Sequence, residues 1–257
     1  MRLVETETRN GALWLWLNRP HRHNALVPDL ISELRSSIDA AADVEPNALV
    51  LCGRGKSFST GGDIEGFLDF AESHDELIRY SDDLVGGLHE AILEMLAFPA
   101  PVIVAVNGPV TGGATGLMLA ADLVAMADDA FVQPFYSEVG FAPDGGWTAL
   151  LPERIGTSKA LEIQYLNSRI HSADARNLGL ATCTCPRLEL EKQIDSWVTE
   201  LGRGSSQTHR ATRQSVWDKT RRAQARSRLE QEKARFLELV ARPETLEGMR
   251  TFTGKRA

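Results

Sequence analysis

Two glycine-rich turns in this sequence have the composition of a site that binds an oxygen through backbone amides. The first covers residues 55–63 (GKSFSTGGD) and the second covers residues 106–114 (VNGPVTGGA). Each follows an apolar segment expected to be a buried strand and leads into an expected helix. Glycine lets the main chain approach a ligand closely, and a helix N-terminus presents free N–H groups. The amides of Gly62 and Gly113, converging on one oxygen, would form an oxyanion hole.

Neither turn matches the phosphate-binding loops that glycine often signals. Neither glycine pair is followed by the Lys-Ser or Lys-Thr of a P-loop, and neither has the spacing of a dinucleotide-binding fingerprint. A single Gly-Gly pair is common in ordinary turns, so each turn alone is also compatible with a purely structural role. The occurrence of two such turns, each between a strand and a helix, favours the oxyanion-hole interpretation.

The segments around these turns predict an α/β fold. Asn10-Gly11 separates two apolar stretches and is typical of a hairpin turn. Further short strands are expected at residues 47–52, 102–106, 123–127 and 131–133. Helices are expected from about Pro28, over residues 75–97 and 111–121, and from about Gly145, Ser158 and Ser172. This alternation indicates crossover connections between strands.

After about residue 186 only helices are expected, over residues 188–201, 207–228, 229–240 and 244–251. We therefore divide the chain into a core, residues 1–195, which contains both glycine turns, and a C-terminal helical segment, residues 196–257. The helical segment is suited to contacts between subunits. Its basic residues, together with Glu230 and Glu232, are interpreted as a solvated helix face.

Composition and charge restrict the possible function classes. The 257 residues carry a net charge of −7, which argues against nucleic-acid binding because phosphate contacts need an excess of Lys and Arg. No stretch reaches the roughly 20 apolar residues of a membrane span, and the charged N-terminus lacks a signal-peptide pattern. The three cysteines suit neither a disulfide framework nor a zinc site. We expect a soluble cytoplasmic protein that binds no metal, nucleic acid or membrane.

Several motifs in consistent order resemble the enoyl-CoA hydratase/isomerase, or crotonase, superfamily over nearly the whole chain. They are the two glycine turns and residues 18–25 (NRPHRHNA), 101–108 (PVIVAVNG), 139–146 (VGFAPDGG) and 151–156 (LPERIG). The resemblance implies an α/β fold with a crotonase-like ββα spiral core and a C-terminal helical segment. It also implies an acyl-CoA thioester substrate and a homotrimer or dimer of trimers. No separate cofactor is expected, because coenzyme A enters as part of the substrate.

The resemblance also assigns candidate site residues by position. The oxyanion amides would be those of Gly62 and Gly113. Arg22 and Lys56 would flank the adenine and phosphates of coenzyme A, although both are equally compatible with solvated surface charges. Leu26 would contact the pantetheine. The other residues expected to bind substrate are Gly61, Asp63, Ile64, His89 and Tyr136.

The acids and bases around an oxyanion hole decide which reaction it serves. Hydratases of this superfamily activate water with two glutamates, at positions that correspond to Gly116 and Tyr136 in this chain. Both carboxylates are missing, so hydration by two glutamates is not expected. Tyr136 is compatible both with a hydrogen-bond donor and with a wall of the acyl pocket.

Asp144 corresponds to the proton-transferring carboxylate of superfamily members that shift double bonds. It lies in a Pro-Asp-Gly-Gly turn close in sequence to Phe141 and Trp147, and an apolar environment would raise its pKa and strengthen it as a base. Such a base would take a proton from C2 of the acyl chain and return it to C4. The local sequence alone favours a structural alternative, in which Asp144 caps a helix N-terminus.

His89 is expected to share a helix face with Val85, Ile92 and Leu96, which favours a pocket wall or core residue over a catalyst. A dehalogenating branch of the superfamily nevertheless resembles this chain, since it has a nucleophilic Asp at the position of Asp144 and a His base at that of His89. That branch has Trp where this chain has Tyr136.

These features predict an enoyl-CoA isomerase that shifts a double bond through a dienolate held by the amides of Gly62 and Gly113, with Asp144 as proton shuttle. Three alternatives remain open. They are an enoyl-CoA hydratase, an aryl-CoA dehalogenase that uses Asp144 and His89, and a catalytically silent acyl-CoA-binding protein.

Overall fold

A computed structural model describes residues 2–254 of the chain, in which the strands form two sheets. The strands are β1 (Val4–Arg9), β2 (Ala12–Leu17), β3 (Ala48–Gly53), β4 (Val102–Val106), β5 (Val110–Thr111), β6 (Leu123–Ala127), β7 (Phe131–Gln133), β8 (Ile170–His171) and β9 (Cys183–Cys185). The large sheet has the order β1-β2-β3-β4-β6-β9, and the small sheet has the order β5-β7-β8. Only the β1–β2 hairpin is antiparallel in the large sheet, so its other strands need crossovers.

Helices supply these crossovers and most of the second half of the chain. They are α1 (Pro28–Val44), α2 (Ile64–Leu68), α3 (His74–Ala97), α4 (Thr115–Leu119), α5 (Tyr136–Val139), α6 (Leu151–Ile155), α7 (Thr157–Leu166), α8 (Ser172–Asn177), α9 (Leu190–Arg203), α10 (Ser206–Val216), α11 (Lys219–Val240) and α12 (Pro243–Gly254). The prediction of an α/β core followed by a helical segment is confirmed. None of the described helices is both long and apolar enough to cross a membrane.

Both faces of the large sheet are buried, which explains the continuous apolar run in β2. Leu15 and Leu17 belong to the main core beneath α1 and α3. Trp14 and Trp16 point to the opposite face, where they share a smaller core with Ile194 of α9. The boundary predicted at residue 195 falls within α9, which covers this outer face of the sheet.

The helix α3 connects the core to the tail. It packs against α1 on one side and α11 on the other. Its C-terminal carbonyls are bound by Arg213 of α10, whose guanidinium donates 2.7 Å to the oxygen of Met95 and 3.1 Å to that of Leu96. Arg213 also pairs with Asp122 at 2.7 Å. A buried cation thereby satisfies the free carbonyls of a helix end.

Several features of the sequence interpretation are wrong or incomplete, including the helix predicted over residues 111–121, of which only Thr115–Leu119 is an α-helix. The tail helices break at residues 217–218, not at residue 229, because the Asp218 carboxylate accepts the Arg221 N–H at 2.8 Å and begins a new helix. No helix begins at Gly145, since residues 145–150 form turns that precede α6. Residues 183–185 form the edge strand β9, which was not predicted.

Candidate active site

The two glycine turns lie against each other at the ends of β3 and β4. The Thr111 N–H donates to the Ser59 oxygen at 3.1 Å, which ties one turn to the other. Gly61 has φ +78°, and a β-carbon there would lie only 2.8 Å from the oxygen of Thr111. Glycine is thus required both for the left-handed backbone and for the close approach. The contact brings Gly62 and Gly113 to the wall of one cavity.

The N–H groups of Gly62 and Gly113 have no hydrogen-bond acceptor in the part of the chain that the structure describes. The Gly62 N–H donates to no residue that the structure describes. Gly113 is the second residue of a single 3₁₀ turn, Gly112–Ala114, and the first N–H groups of a helix have no acceptor within it. The two turns therefore supply two N–H donors at one cavity.

The cavity that these glycines line, called here the inner cavity, is small, with a volume of about 60 Å³. Leu26 and Ile64 line one side of it. Its aromatic wall consists of Phe67, Phe135, Tyr136, Phe141, Phe236 and Phe252. The last two come from α11 and α12, so the C-terminal helices help to enclose it. The space suits a compact apolar group.

A wider polar cleft, called here the outer cleft, has a volume of about 640 Å³ and shares Gly62 and Ile64 with the inner cavity. Arg22, Lys56 and Asp63 also line it. The sequence-predicted residues are thus divided between a polar entrance and an apolar interior. Gly61 and His89 line neither space.

Asp63 is only 5% exposed and is surrounded by cations. It pairs with Arg19 at 2.6 Å and with Arg22 at 2.7 Å. Burial alone would raise the pKa of this carboxyl, but the two guanidinium groups more than offset burial and hold the pKa below its usual value. Asp63 is therefore an ionised anchor that orients Arg22 at the outer cleft.

Asp144 stands against the second glycine turn. A β-carbon built on Gly113 would lie 2.8 Å from Oδ2 of Asp144, so this carboxylate reaches the Gly113 main chain. The Tyr136 hydroxyl donates to Oδ1 at 2.6 Å. Asp144 is 6% exposed, and it is the sole acid among the described residues lining the inner cavity.

The surroundings of Asp144 raise its pKa to about 7. Burial is the main cause, because it penalises the charged form. The hydrogen bond from Tyr136 opposes this effect, and the negative charge of Glu232 adds to it. A carboxyl with such a pKa is a much stronger base than an exposed one and is still largely available in its basic form near neutral pH.

Asp144 is not at the start of a helix. The next helix along the chain, α6, has Leu150 at its N-cap and no side-chain hydrogen bond there. Gly145 and Gly146 follow Asp144 with φ of +62° and +88°, a backbone that turns away from helical geometry. The loop instead packs its backbone onto Gly113.

The loop that follows Asp144 occupies the space beside Gly116, where the family resemblance would place a glutamate in a hydratase. A β-carbon on Gly116 would lie 2.2 Å from the carbonyl oxygen of Gly145. A glutamate at this position would require the loop that carries Asp144 to move. At the other position, Tyr136 is buried and binds Asp144. The two positions that the family resemblance assigns to water-activating glutamates are thus occupied by a backbone carbonyl and a phenol.

Tyr136 is held by a strained turn. The preceding residue, Phe135, has φ +63°, a left-handed backbone conformation that is unfavourable for residues other than glycine. The Phe135 N–H donates to Oδ1 of Asn167 at 2.8 Å, and the Asn167 amide donates to the exposed Glu138 at 2.6 Å. Glu138 thus supports this turn from outside the cavity.

His89 lies behind the Asp144 loop. Its Nε2 accepts the Gly145 N–H at 3.1 Å, and burial lowers the pKa of His89 to about 4, so the ring is neutral. The 3.8 Å approach of Nε2 to Glu232 is consequently not an ion pair. In this position His89 supports the backbone of the loop.

Glu232 of α11 is a site residue that sequence reasoning misplaced. It was interpreted as part of a solvated face, but it is 3% exposed and its carboxylate accepts four hydrogen bonds from the loop after Asp144. The sequence does contain a signal. Glu232 falls at helical spacing within the buried stripe of α11, which consists of Ala225, Leu229, Phe236 and Val240.

Comparisons with known proteins agree on one family. Residues 7–257 match the model described as enoyl-CoA hydratase/isomerase. A trans-2-decenoyl-[acyl-carrier-protein] isomerase of Streptococcus mutans is 32% identical over 81% of this chain and 79% of that protein. A 4-chlorobenzoyl coenzyme A dehalogenase of Arthrobacter is 30% identical over 78% and 71%, respectively. The crystal structure of an enoyl-CoA hydratase from Bacillus halodurans, 24% identical, superposes with a TM-score of 0.90 over 97% of this chain and 100% of that one. The predicted crotonase-like fold is confirmed.

Proposed function

Because this chain belongs to the enoyl-CoA hydratase/isomerase family, we propose that it is an enoyl-CoA isomerase that moves a double bond along an acyl thioester. The observation that carries the proposal is the single carboxylate of Asp144, which stands against Gly113 with a pKa of about 7. The similarity to a protein named as an isomerase supports it.

The proposed reaction uses the groups of the inner cavity in turn. Asp144 removes a proton from C2 of a 3-enoyl thioester, and the electrons move onto the thioester oxygen. The amides of Gly62 and Gly113 stabilise this oxygen as a dienolate. Asp144 then returns the proton to C4, which gives the 2-enoyl thioester and restores the carboxylate. The apolar walls exclude water and so favour proton return over side reactions.

The outer cleft suits the coenzyme A part of the substrate. In this proposal Arg22 and Lys56 attract the phosphates, and Leu26 and Ile64 line the path of the pantetheine between cleft and inner cavity. Coenzyme A enters with the substrate, and the reaction needs no separate cofactor. The small inner cavity favours a short or compact acyl group.

We also propose, from the family resemblance, that the protein is cytoplasmic and assembles as a homotrimer or a dimer of trimers. Exposed apolar side chains on α7 support an assembly, since Tyr165 is 75% and Leu166 is 71% exposed, and exposed apolar patches commonly mark contacts with other chains. Sedimentation of the purified protein tests this proposal. A monomer at micromolar concentration would contradict it.

The decisive experiment supplies a 3-enoyl-CoA and a 2-enoyl-CoA separately to the purified protein and to two variants. We expect the wild type to convert the 3-enoyl substrate and the Asp144→Asn variant to lose this activity. Glu138→Gln is the matched control, because it removes an exposed carboxylate from the same segment and can retain the bond to Asn167.

Other outcomes select the alternatives. Hydration of the 2-enoyl substrate that survives Asp144→Asn would replace the isomerase by a hydratase. Halide release from a haloaryl-CoA, with an acyl group trapped on Asp144, would select the dehalogenase. Binding of coenzyme A thioesters without any turnover would leave an acyl-CoA-binding protein.

A further inference from the structure

The loop after Asp144 is bound by a buried carboxylate from a distant part of the chain. Glu232 Oε2 accepts the Gly146 N–H at 2.7 Å. Its Oε1 accepts the N–H groups of Thr148 at 2.6 Å and Ala149 at 2.8 Å, and the Thr148 hydroxyl at 2.8 Å. Residues 145–150 form no helix of their own, so this carboxylate satisfies backbone donors that the loop leaves free.

These four bonds fix the loop immediately beside the base. Gly146 is two residues after Asp144, and Gly145 between them packs against Gly113, where a β-carbon on Gly145 would lie 2.3 Å from the Gly113 oxygen. Glu232 thus acts on the backbone that sets the position of the Asp144 carboxylate relative to the second oxyanion turn. A helix of the C-terminal segment controls this geometry.

Glu232 also forms no ion pair with an Arg or Lys side chain among the described residues. Burial raises its pKa, whereas the four hydrogen bonds act in the opposite direction and stabilise the carboxylate form. The titratable groups that face Asp144 are Tyr136 from α5 and Glu232 from α11. His89 from α3 lies behind Gly145 and is neutral. Within residues 2–254 no Arg or Lys side chain forms an ion pair with Asp144 or Glu232, so each carboxylate disfavours ionisation of the other.

We propose that Glu232 is a positioning residue of this active site, which holds the Asp144 loop against Gly113 through four hydrogen bonds and strengthens Asp144 as a base through its negative charge. The proposal rests on the proposed isomerase function for its kinetic consequence. Its electrostatic part concerns Asp144 itself and is independent of the reaction.

Two substitutions separate position from charge. Glu232→Asp keeps the charge but withdraws the carboxylate by one methylene from the loop. Glu232→Gln keeps the length, removes the charge and turns an amide donor toward a backbone N–H. Glu230→Gln is the matched control, since Glu230 lies two residues away on the same helix, is exposed, and loses the same charge.

Two measurements are made on each variant. The first is the titration of the Asp144 carboxyl carbon by NMR of protein labelled with ¹³C-aspartate, assigned with Asp144→Asn. The second is kcat and KM for a 3-enoyl-CoA. Thermal unfolding shows which variants are folded.

In Glu232→Gln we expect the titration of Asp144 to move down by about one pH unit, because a like charge is removed. In Glu232→Asp we expect this titration to stay in place while kcat falls about tenfold and KM changes less than about twofold, since a small displacement of a catalytic group is costly. Glu230→Gln should change neither quantity.

An unchanged Asp144 titration in Glu232→Gln, or full kcat in Glu232→Asp, would overturn the proposal. If Glu232→Gln does not fold, the kcat of Glu232→Asp still decides the positioning role. A wild type without isomerase activity would refute the proposed function alone, because the NMR titration tests Glu232 without any substrate.

Discussion

Asp63 and Asp144 both expose little surface to solvent, but they differ in depth and in the charges around them. Asp63 is 5% exposed and Asp144 is 6% exposed. Two arginines bind Asp63 in the outer cleft. Asp144 in the inner cavity receives a hydroxyl from Tyr136 and lies near a second carboxylate.

The charges around a buried carboxyl and the depth at which it lies together decide what it can do. The pKa of Asp63 is lowered and that of Asp144 is raised to about 7. Asp63 therefore stays ionised and holds arginines, whereas Asp144 can accept and return a proton near neutral pH. Variants of the two residues should separate stability from catalysis.

The largest effect is expected for Asp144→Asn. Loss of the proposed base should lower kcat for 3-enoyl-CoA by about a thousandfold. The protein should be as stable as the wild type or more stable at pH 8, because the variant no longer buries a charge. Steady-state kinetics and thermal unfolding check both statements. A stable variant with more than a tenth of the wild-type kcat would remove Asp144 from the mechanism.

The pH dependence should differ for the two carboxyls. Since Asp144 acts as a base, kcat/KM should fall tenfold per unit below its pKa of about 7 and level off above it. Folded Asp144 keeps its proton between about pH 4 and pH 7, where the unfolded chain has released it, so its contribution to stability decreases as pH rises through this window. Asp63 contributes stability above its ordinary pKa and loses it as pH falls. Chemical denaturation of the wild type, Asp144→Asn and Asp63→Asn, from above pH 7 to below the ordinary pKa of an aspartate, measures both slopes.

The Asp63→Asn variant should mainly lose stability. Removing the carboxylate leaves Arg19 and Arg22 without their shared partner. We expect the free energy of unfolding at pH 7 to fall by about 1–3 kcal/mol, since breaking a buried pair leaves charges poorly satisfied. Urea denaturation checks the value, and kcat should stay within about threefold of the wild type. A large loss of kcat with unchanged stability would reverse the roles assigned to the two residues.

The Tyr136→Phe variant removes the hydroxyl that donates a hydrogen bond to Asp144. In the wild type, the 2.6 Å hydrogen bond from the Tyr136 hydroxyl lowers the pKa of Asp144. Removing this hydrogen bond should therefore shift the kcat/KM profile to higher pH. We expect a decrease of about tenfold at pH 7 that is partly recovered at pH 8.5. A downward shift of the profile would show that Tyr136 does not stabilise the carboxylate.

The smallest effect is expected in the outer cleft. The Arg22→Gln variant should raise KM for an acyl-CoA about threefold and leave kcat unchanged. The reason is that an ion pair between Arg22 and a phosphate of coenzyme A would be exposed to solvent, and such pairs contribute little. An acyl-pantetheine, which lacks the nucleotide, serves as control substrate and should show no change. An equal change with both substrates would place Arg22 away from the phosphates.

The sequence predicted the features that depend on neighbouring residues. The turns at Gly62 and Gly113 and the apolar strands before them follow from local composition. The contacts of Glu232 did not, because the helical spacing of α11 indicates only that this residue is buried, whereas the Gly146 N–H that it accepts lies 86 residues away. The role of Gly116 could be predicted only in part. The sequence indicates that the expected glutamate is missing there, and only the fold reveals that the Gly145 carbonyl fills the space.

The inner cavity is lined by Leu26, from the segment before α1, and by Phe236 and Phe252 of α11 and α12. Leu26 is thus synthesised on the ribosome about 210 residues before Phe236, with which it lines the same cavity. A growing chain can form its sheet and both glycine turns while the acyl pocket is still an open apolar surface. The acyl pocket is therefore enclosed only after α11 and α12 have been synthesised and packed, and until then this surface is the part that a chaperone would have to cover.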